Sequence, residues 1–282
     1  MLTSSFSQVD GIGLARERAL WRAGIRRWDD LLEQVKASTE SLAGLRSGHL
    51  HRLVEEIQQD KTALLNQDFG FFCKRLKRRD HWKLYRHFPD KFAFLDIETT
   101  GLDRHLNRIT SIAMLGPGER GASLFVEGFN LNDFPAAFRS VDMVVTFAGA
   151  GFDLPFLAAR FPGLRIPEGC CDLLWLGKHL GLRGGLKRIE AVLGLSRPEE
   201  AEGLSGLDAV ALWHRWEKEG DVASLKRLLL YNLVDTVNLK PLLVKFINLM
   251  VEKHDQLDIE KLREPQAWTG ETSSIGKIFK LT

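Results

Sequence analysis

The spacing of apolar residues along the chain changes character once, near Phe92. Before that point Ala15, Ala19, Leu20, Ala23 and Ile25, then Trp28, Leu31, Leu32 and Val35, recur at helical intervals, with Gly24 in the break between two short segments. A third helical segment runs from His49 to about Leu65 and carries Leu53, Ile57 and Leu64 on one face. From Phe92 the apolar stretches shorten to FAFLDIE, ITSIAMLG, ASLFVEG and DMVVTFAG, separated by Gly, Pro, Asn and Asp clusters, which predicts strands. Helical spacing returns over Leu154 to about Arg160, Leu173 to Leu180, Leu186 to Leu193, Leu207 to Lys218 and Asp221 to about Leu249. Strands first and helices interleaved afterwards predict an α/β layer with one mixed sheet. Four segments follow from this pattern: a small all-α unit over 1–65, a connector over 66–90, an α/β domain over 91–249, and a tail over 250–282 with no clear periodicity, expected as loop or a peripheral arm.

Composition alters this picture little. The chain of 282 residues is 44% hydrophobic and 27% charged, ordinary for a water-exposed globular protein large enough for one substantial core and a smaller unit. No apolar run approaches the ~20 residues that span a bilayer, and MLTSSFSQVDG lacks the basic and apolar stretches of a signal peptide, so a cytoplasmic protein with no membrane partner is expected. Cys73, Cys170 and Cys171 are an odd number without metal-ligand spacing, which predicts buried, reduced thiols. The net charge is only +2, but it is unevenly spread: FGFFCKRLKRRDHWKLYRHFPD sets seven Lys and Arg against two Asp. Most of that run is expected as a solvated face, with Phe71, Phe72, Trp82, Tyr85 and Phe88 docked on a neighbouring core.

Candidate chemistry starts in FAFLDIETTGL. Asp96 and Glu98 are two apart on a strand and therefore leave it on the same face, where two anions repel unless a cation lies between them. In VVTFAGAGFDLPFLAARF, a glycine-rich turn leads to Asp153 at a helix start, where the aspartate suits either a helix cap or a site. In LLLYNLVDTVNLKPLL, Tyr231 and Asp235 stand at i and i+4 on one helix face, where they could also simply bond to each other.

Taken in order, Asp-x-Glu, Phe-Asp and Tyr-x-x-x-Asp resemble the DEDD, or DnaQ-like, 3′-to-5′ exonucleases of the RNase H-like superfamily. Through LDIETTGL, VTFAGAGFDLPFL, DLLWLGKHL, LKRIEAVLGLSRPEE and YNLVDTVNL, the chain looks most like the bacterial RNase H-like proteins of the YprB type, over roughly residues 70 to 249. The resemblance implies an RNase H-like mixed five-stranded sheet flanked by helices, and a nuclease acting on DNA or RNA. Hydrolysis of a phosphodiester needs an activated water, stabilised phosphate oxygens and a stabilised leaving alkoxide, and two Mg²⁺ or Mn²⁺ ions about 4 Å apart supply all three. Such hard cations take oxygen ligands. The resemblance assigns Asp96 to bridge both ions, Glu98 and Asp235 to the ion that activates water, and Asp153 to the other. It makes Tyr231 the residue that orients or deprotonates that water, as in the tyrosine subtype; no histidine lies between His214 and His254 to serve the alternative subtype. It also places Thr99, Thr100, Gly101 and Leu102 against the terminal nucleotide. Lys187 and Arg188 stand at a helix start, where they could reach phosphate or be solvated.

One position departs from the family pattern. Where the second motif has Asn five residues before the Asp, this chain has Ala148, which bears on substrate positioning rather than on metal binding. At the other end of the chain, Gly11-Ile12-Gly13 before a helix resembles a helix-hairpin-helix, whose backbone N–H groups hold a nucleic-acid phosphate. Two other readings share these residues: a catalytically silent nucleic-acid-binding platform, and an endonuclease selective for structured substrate.

Overall fold

The computed structural model describes residues 1–37, 47–118, 121–254, 257–268, 270 and 272–279. These fall into two compact units, Met1–Phe88 with Ile247–Leu262, and Pro89–Phe246 with Arg263–Thr282.

The first unit contains α1 (Leu14–Arg22), α2 (Trp28–Ala37), α3 (Ser47–Leu65) and α4 (Phe69–Arg75). Apolar residues at helical spacing give it a core that includes Leu20, Ile25, Trp28, Leu31, Leu53 and Ile57. The basic and aromatic segment is part of this unit. Phe72 stacks on Trp28 at 6.5 Å between ring centroids, and Phe88 packs against Phe69 at 5.4 Å and Phe72 at 6.0 Å. Its charges divide. Lys74, Lys77, Arg78 and Arg79 are exposed, whereas Arg75 pairs with Glu56 and Asp60, and the buried Lys83 reaches Ser5 and Asp80.

The second unit is an α/β fold built on a mixed five-stranded sheet, β1 (Phe92–Thr99), β2 (Ile109–Leu115), β3 (Ser123–Val126), β4 (Met143–Thr146) and β5 (Gly169–Asp172), in the order β3-β2-β1-β4-β5. β1, β2 and β3 pair antiparallel, and β1, β4 and β5 pair parallel. Its helices are α5 (Phe134–Phe138), α6 (Asp153–Arg160), α7 (Leu173–His179), α8 (Leu186–Val192), α9 (Gly206–Glu219), α10 (Val222–Glu252) as far as Phe246, and α11 (Ser273–Ile278). Strand alternation sends Ala93, Leu95 and Ile97 of β1 to one face of the sheet. There they join Ile112, Met114, Phe125 and Val144 in a core closed by Phe134 and Phe138 of α5 and by Leu154 and Leu157 of α6. Asp96 and Glu98 therefore leave β1 on the opposite face.

Two short elements, α5 and β5, lie outside the predicted pattern. β5 is GCCD, four residues without alternation, and its buried Cys170 and Cys171 carry none of the β-branched signal that marks a strand. Part of the C-terminal arm is helical: α11 packs beside β3, with Ile275 and Ile278 buried and the Ser274 hydroxyl donating to the Ala122 carbonyl. Six residues of weak periodicity do not announce this helix. Residues 255–256, 269, 271 and 280–282 of that arm lie outside the described residues.

Candidate metal centre

The site forms where β1 outruns its parallel neighbour. Pairing with β4 stops at Phe94 opposite Val145, while pairing with β2 continues to Glu98 opposite Ser111 and then shifts register between Glu98 and Thr99. After β1 the chain turns to β2 on one side, and after β4 it passes through α6 to β5 on the other. The diverging connections leave a crevice at the carboxyl ends of the two parallel strands, the usual ligand position in such sheets. The register shift directly after Glu98 interrupts regular pairing, which resumes with Thr99 opposite Ile109.

α10 supplies the opposite wall. Asn232, fully buried, donates from Nδ2 to the Asp96 carboxylate at 2.7 Å and to the Asp96 carbonyl at 3.1 Å, and accepts from the Ser111 hydroxyl at 2.9 Å. Three residues on, Asp235 faces the same space. Asp96, Glu98 and Asp235 each present a carboxylate oxygen within 4.8 Å of the other two. Asp153 enters from the other layer as the first residue of α6, with Phe152 in the cap position. A backbone hydrogen bond from Ile97, on the stretch of β1 that β4 no longer pairs, reaches its carboxylate. Gly149 is required here. A Cβ on it would stand 2.6 Å from Thr146 Cβ and 2.8 Å from Asp153 Oδ2, so any larger residue would push Asp153 out of place.

Electrostatically the four acids oppose one another's ionisation. Burial, then the Asp235 charge, then Glu98 and Asp153, hold the Asp96 carboxyl well above the ordinary carboxylate range. Burial, followed by Asp235 and Asp153, does the same to Glu98. Asp153 is pushed up to about 7, chiefly by burial. Asp235 is also raised by burial, but less freely, since Arg197, Lys187 and a hydrogen bond from Tyr231 pull the other way. A cation among these carboxylates would relieve both the repulsion and the cost of burying charge. The donor set is all oxygen and anionic, which fits a hard divalent ion rather than zinc or copper.

The family model for the RNase H superfamily matches residues 93–247, more than half of the chain. The chain belongs to the RNase H superfamily. Among solved structures it is similar to the family B DNA polymerase from the hyperthermophilic archaeon Pyrobaculum calidifontis, at 16% identity and a TM-score of 0.40, over 60% of this chain and 27% of the polymerase chain. A comparison with curated proteins finds no match.

In this RNase H superfamily member the other predicted residues occupy different settings. Tyr231 is buried on the same α10 face as Asp235, and its hydrogen bond to Asp235 is the plain i, i+4 pairing that the spacing allows. Lys187 of α8 places its ammonium 4.3 Å from the centre of the Tyr231 ring, and Asp235 and Glu98 both act on its charge. Thr99 is buried, and its hydroxyl donates to the Gly101 carbonyl at 2.6 Å. Leu102 projects into solvent at 85% exposure, and a Cβ on Gly101 would strike Asn107 at 2.6 Å. Gly11 and Gly13 belong to the first unit; Gly11 has a φ of 84° and Gly13 caps α1 without a side chain.

Three residues at the site escape sequence reasoning. Asn232 directly follows Tyr231, yet nothing local links it to Asp96. Asp172 caps α7 through Leu174 N–H at 3.0 Å and also accepts from Ala148 and Ala150 N–H at 2.9 and 3.2 Å, so it shapes the loop before Asp153. Arg197, in the SRPEE turn after α8, bonds both Asp235 and Glu190.

Proposed function

We propose that this chain is a divalent-metal-dependent nuclease that removes nucleotides from the 3′ end of single-stranded DNA or RNA. The observation that carries this reading is the convergence of Asp96, Glu98 and Asp235 within 4.8 Å, with burial and mutual repulsion raising their proton affinity. Membership of the RNase H superfamily supports it. Asp96, Glu98 and Asp235 would hold two Mg²⁺ or Mn²⁺ ions, with Asp153 as the fourth carboxylate. When bound, the ions would supply charge stabilisation and an activated water.

The chain's own residues do the rest. Tyr231, hydrogen-bonded to Asp235 on the same face of α10, would orient or help deprotonate the attacking water. Lys187, whose ammonium lies over the Tyr231 ring, would meet a phosphate oxygen. The loop from Thr99 to Leu102 offers a rigid turn and one exposed apolar side chain for the terminal base. In the first unit, Gly11 to Gly13 and the exposed Arg18, Arg22 and Arg26 would add further phosphate contacts.

Incubation of the protein with 5′-labelled single-stranded DNA and RNA tests the reading. With Mn²⁺, a ladder that shortens from the 3′ end is expected, and neither EDTA-treated protein nor Asp96→Asn should produce it. Cleavage that persists in EDTA, or a variant as active as the wild type, overturns the metal assignment. Products that arise only from internal cuts overturn the 3′-end assignment.

A further inference from the structure

Arg197 is a buried guanidinium, 7% exposed, set directly against one acid of the cluster. Its Nη1 donates to Asp235 Oδ1 at 2.5 Å and its Nε to Glu190 Oε2 at 2.5 Å. Glu190 itself is 1% exposed and belongs to α8. The backbone on which Arg197 rides is held too. Asn238 of α10 donates to the Ser196 carbonyl at 3.2 Å, and Leu195 N–H donates to the Glu190 carbonyl at 2.9 Å. Thus α8 and α10 grip the turn from both sides and aim one arm of the fork at Asp235.

We propose that Arg197, anchored by Glu190, is a positioning residue for the metal centre: together with the Tyr231 hydroxyl it fixes the orientation in which the Asp235 carboxylate meets the metal. This rests on the nuclease reading above. Two effects of opposite sign must be weighed. The positive charge of Arg197 repels a nearby cation, but the Glu190 carboxylate at the same guanidinium offsets most of that charge. Orientation of a ligand by its hydrogen-bond partner is typically worth about 10- to 100-fold in metal affinity. Positioning therefore outweighs repulsion, and Asp235 is a better ligand with Arg197 than without it.

Arg197→Lys separates the two, because it keeps the charge and loses the planar fork that spans two carboxylates. Calorimetric titration with Mn²⁺ should show about 10- to 100-fold weaker binding in Arg197→Lys than in the wild type. The Mn²⁺ concentration for half-maximal nuclease rate should rise by the same factor, while the rate at saturating Mn²⁺ recovers to within a few-fold. Unchanged or tighter Mn²⁺ binding in Arg197→Lys overturns the inference and leaves the nuclease reading intact. No Mn²⁺ binding by the wild type overturns both. Melting curves in EDTA show whether the variant folds. Should it not fold, Glu190→Gln, which keeps volume and an acceptor oxygen but removes the anchoring charge, should weaken Mn²⁺ binding several-fold, and unchanged affinity there overturns the inference.

Discussion

Ala148 has a φ of 66°, in the left-handed region where a Cβ is disfavoured and where Asn is among the residues best tolerated. Its N–H donates to the Asp172 carboxylate, so the conformation is held from outside rather than chosen by the residue. The asparagine of the family pattern would suit this backbone better. Ala148→Asn should stabilise the protein by about 0.5–1 kcal/mol, read from denaturant midpoints at constant slope; a destabilised variant would show that the side chain lacks room. Tyr231→Phe tests a different property of a single residue. Ring packing and the Lys187 contact survive it, and only the hydroxyl with its hydrogen bond to Asp235 is removed, so turnover at saturating metal should fall roughly 10²- to 10⁴-fold. An unchanged chemical rate would leave Tyr231 as no more than a partner for Asp235.

Secondary-structure elements explain why the carboxylates converge at all. β1 is long enough to extend beyond β4, and α10 places Tyr231, Asn232, Asp235 and Asn238 along one stripe, so a strand and a helix each contribute a periodic row to the crevice. α1 poses the corresponding question for the first unit. Removing residues 1–65 would strip Trp28 from Phe72 and take Glu56 and Asp60 from Arg75, so loss of folding would mask any loss of binding. Substitution of exposed arginines on α1 avoids this. Arg18→Ala with Arg22→Ala should weaken binding to long single strands and flatten the log-log salt dependence by about 0.7 for each phosphate that is no longer neutralised, with the maximal cleavage rate retained. An unchanged salt slope in the folded double variant would make α1 a packing helix only.

In the molecule as a whole, the same acids set how stability responds to pH. Asp96, Glu98 and Asp153 bind their protons more tightly folded than unfolded, Asp153 up to about pH 7. Between their unfolded values and those raised values the folded state carries the extra protons, so their contribution is present at low pH and lost as pH rises. His87, pushed down to about 4 by burial, and the Met1 ammonium, pushed down to about 5 by burial, act in the opposite sense, adding stability as pH rises toward their ordinary values. A difference measurement isolates the acids. In EDTA, Asp96→Asn should melt close to wild type at pH 5 and above it at pH 8, where the wild type bears the full repulsion. Mn²⁺ at pH 8 should raise the wild-type melting temperature and leave the variant nearly unmoved. A variant that is less stable than wild type at pH 8 without metal contradicts the repulsion argument.

Short-range periodicity was enough to place Asp96 with Glu98 on one strand face and Tyr231 with Asp235 on one helix face, because the backbone repeat carries that information within a few residues. It also marked the α/β order and four of the five strands. It could not distinguish cap from site at Asp153, since both roles want an acid at a helix start. Nor could it show which cations and amides serve the acids. Asn232 meets Asp96 across 136 residues, Arg197 meets Asp235 across 38, and Asp172 holds Ala148 across 24. Such pairings exist only after the sheet order and the packing of α8 and α10 have brought distant segments together. A hydrogen bond between segments far apart in the chain leaves no repeat along it, so the carboxylates were legible in the sequence and the groups that orient them belong to the tertiary structure.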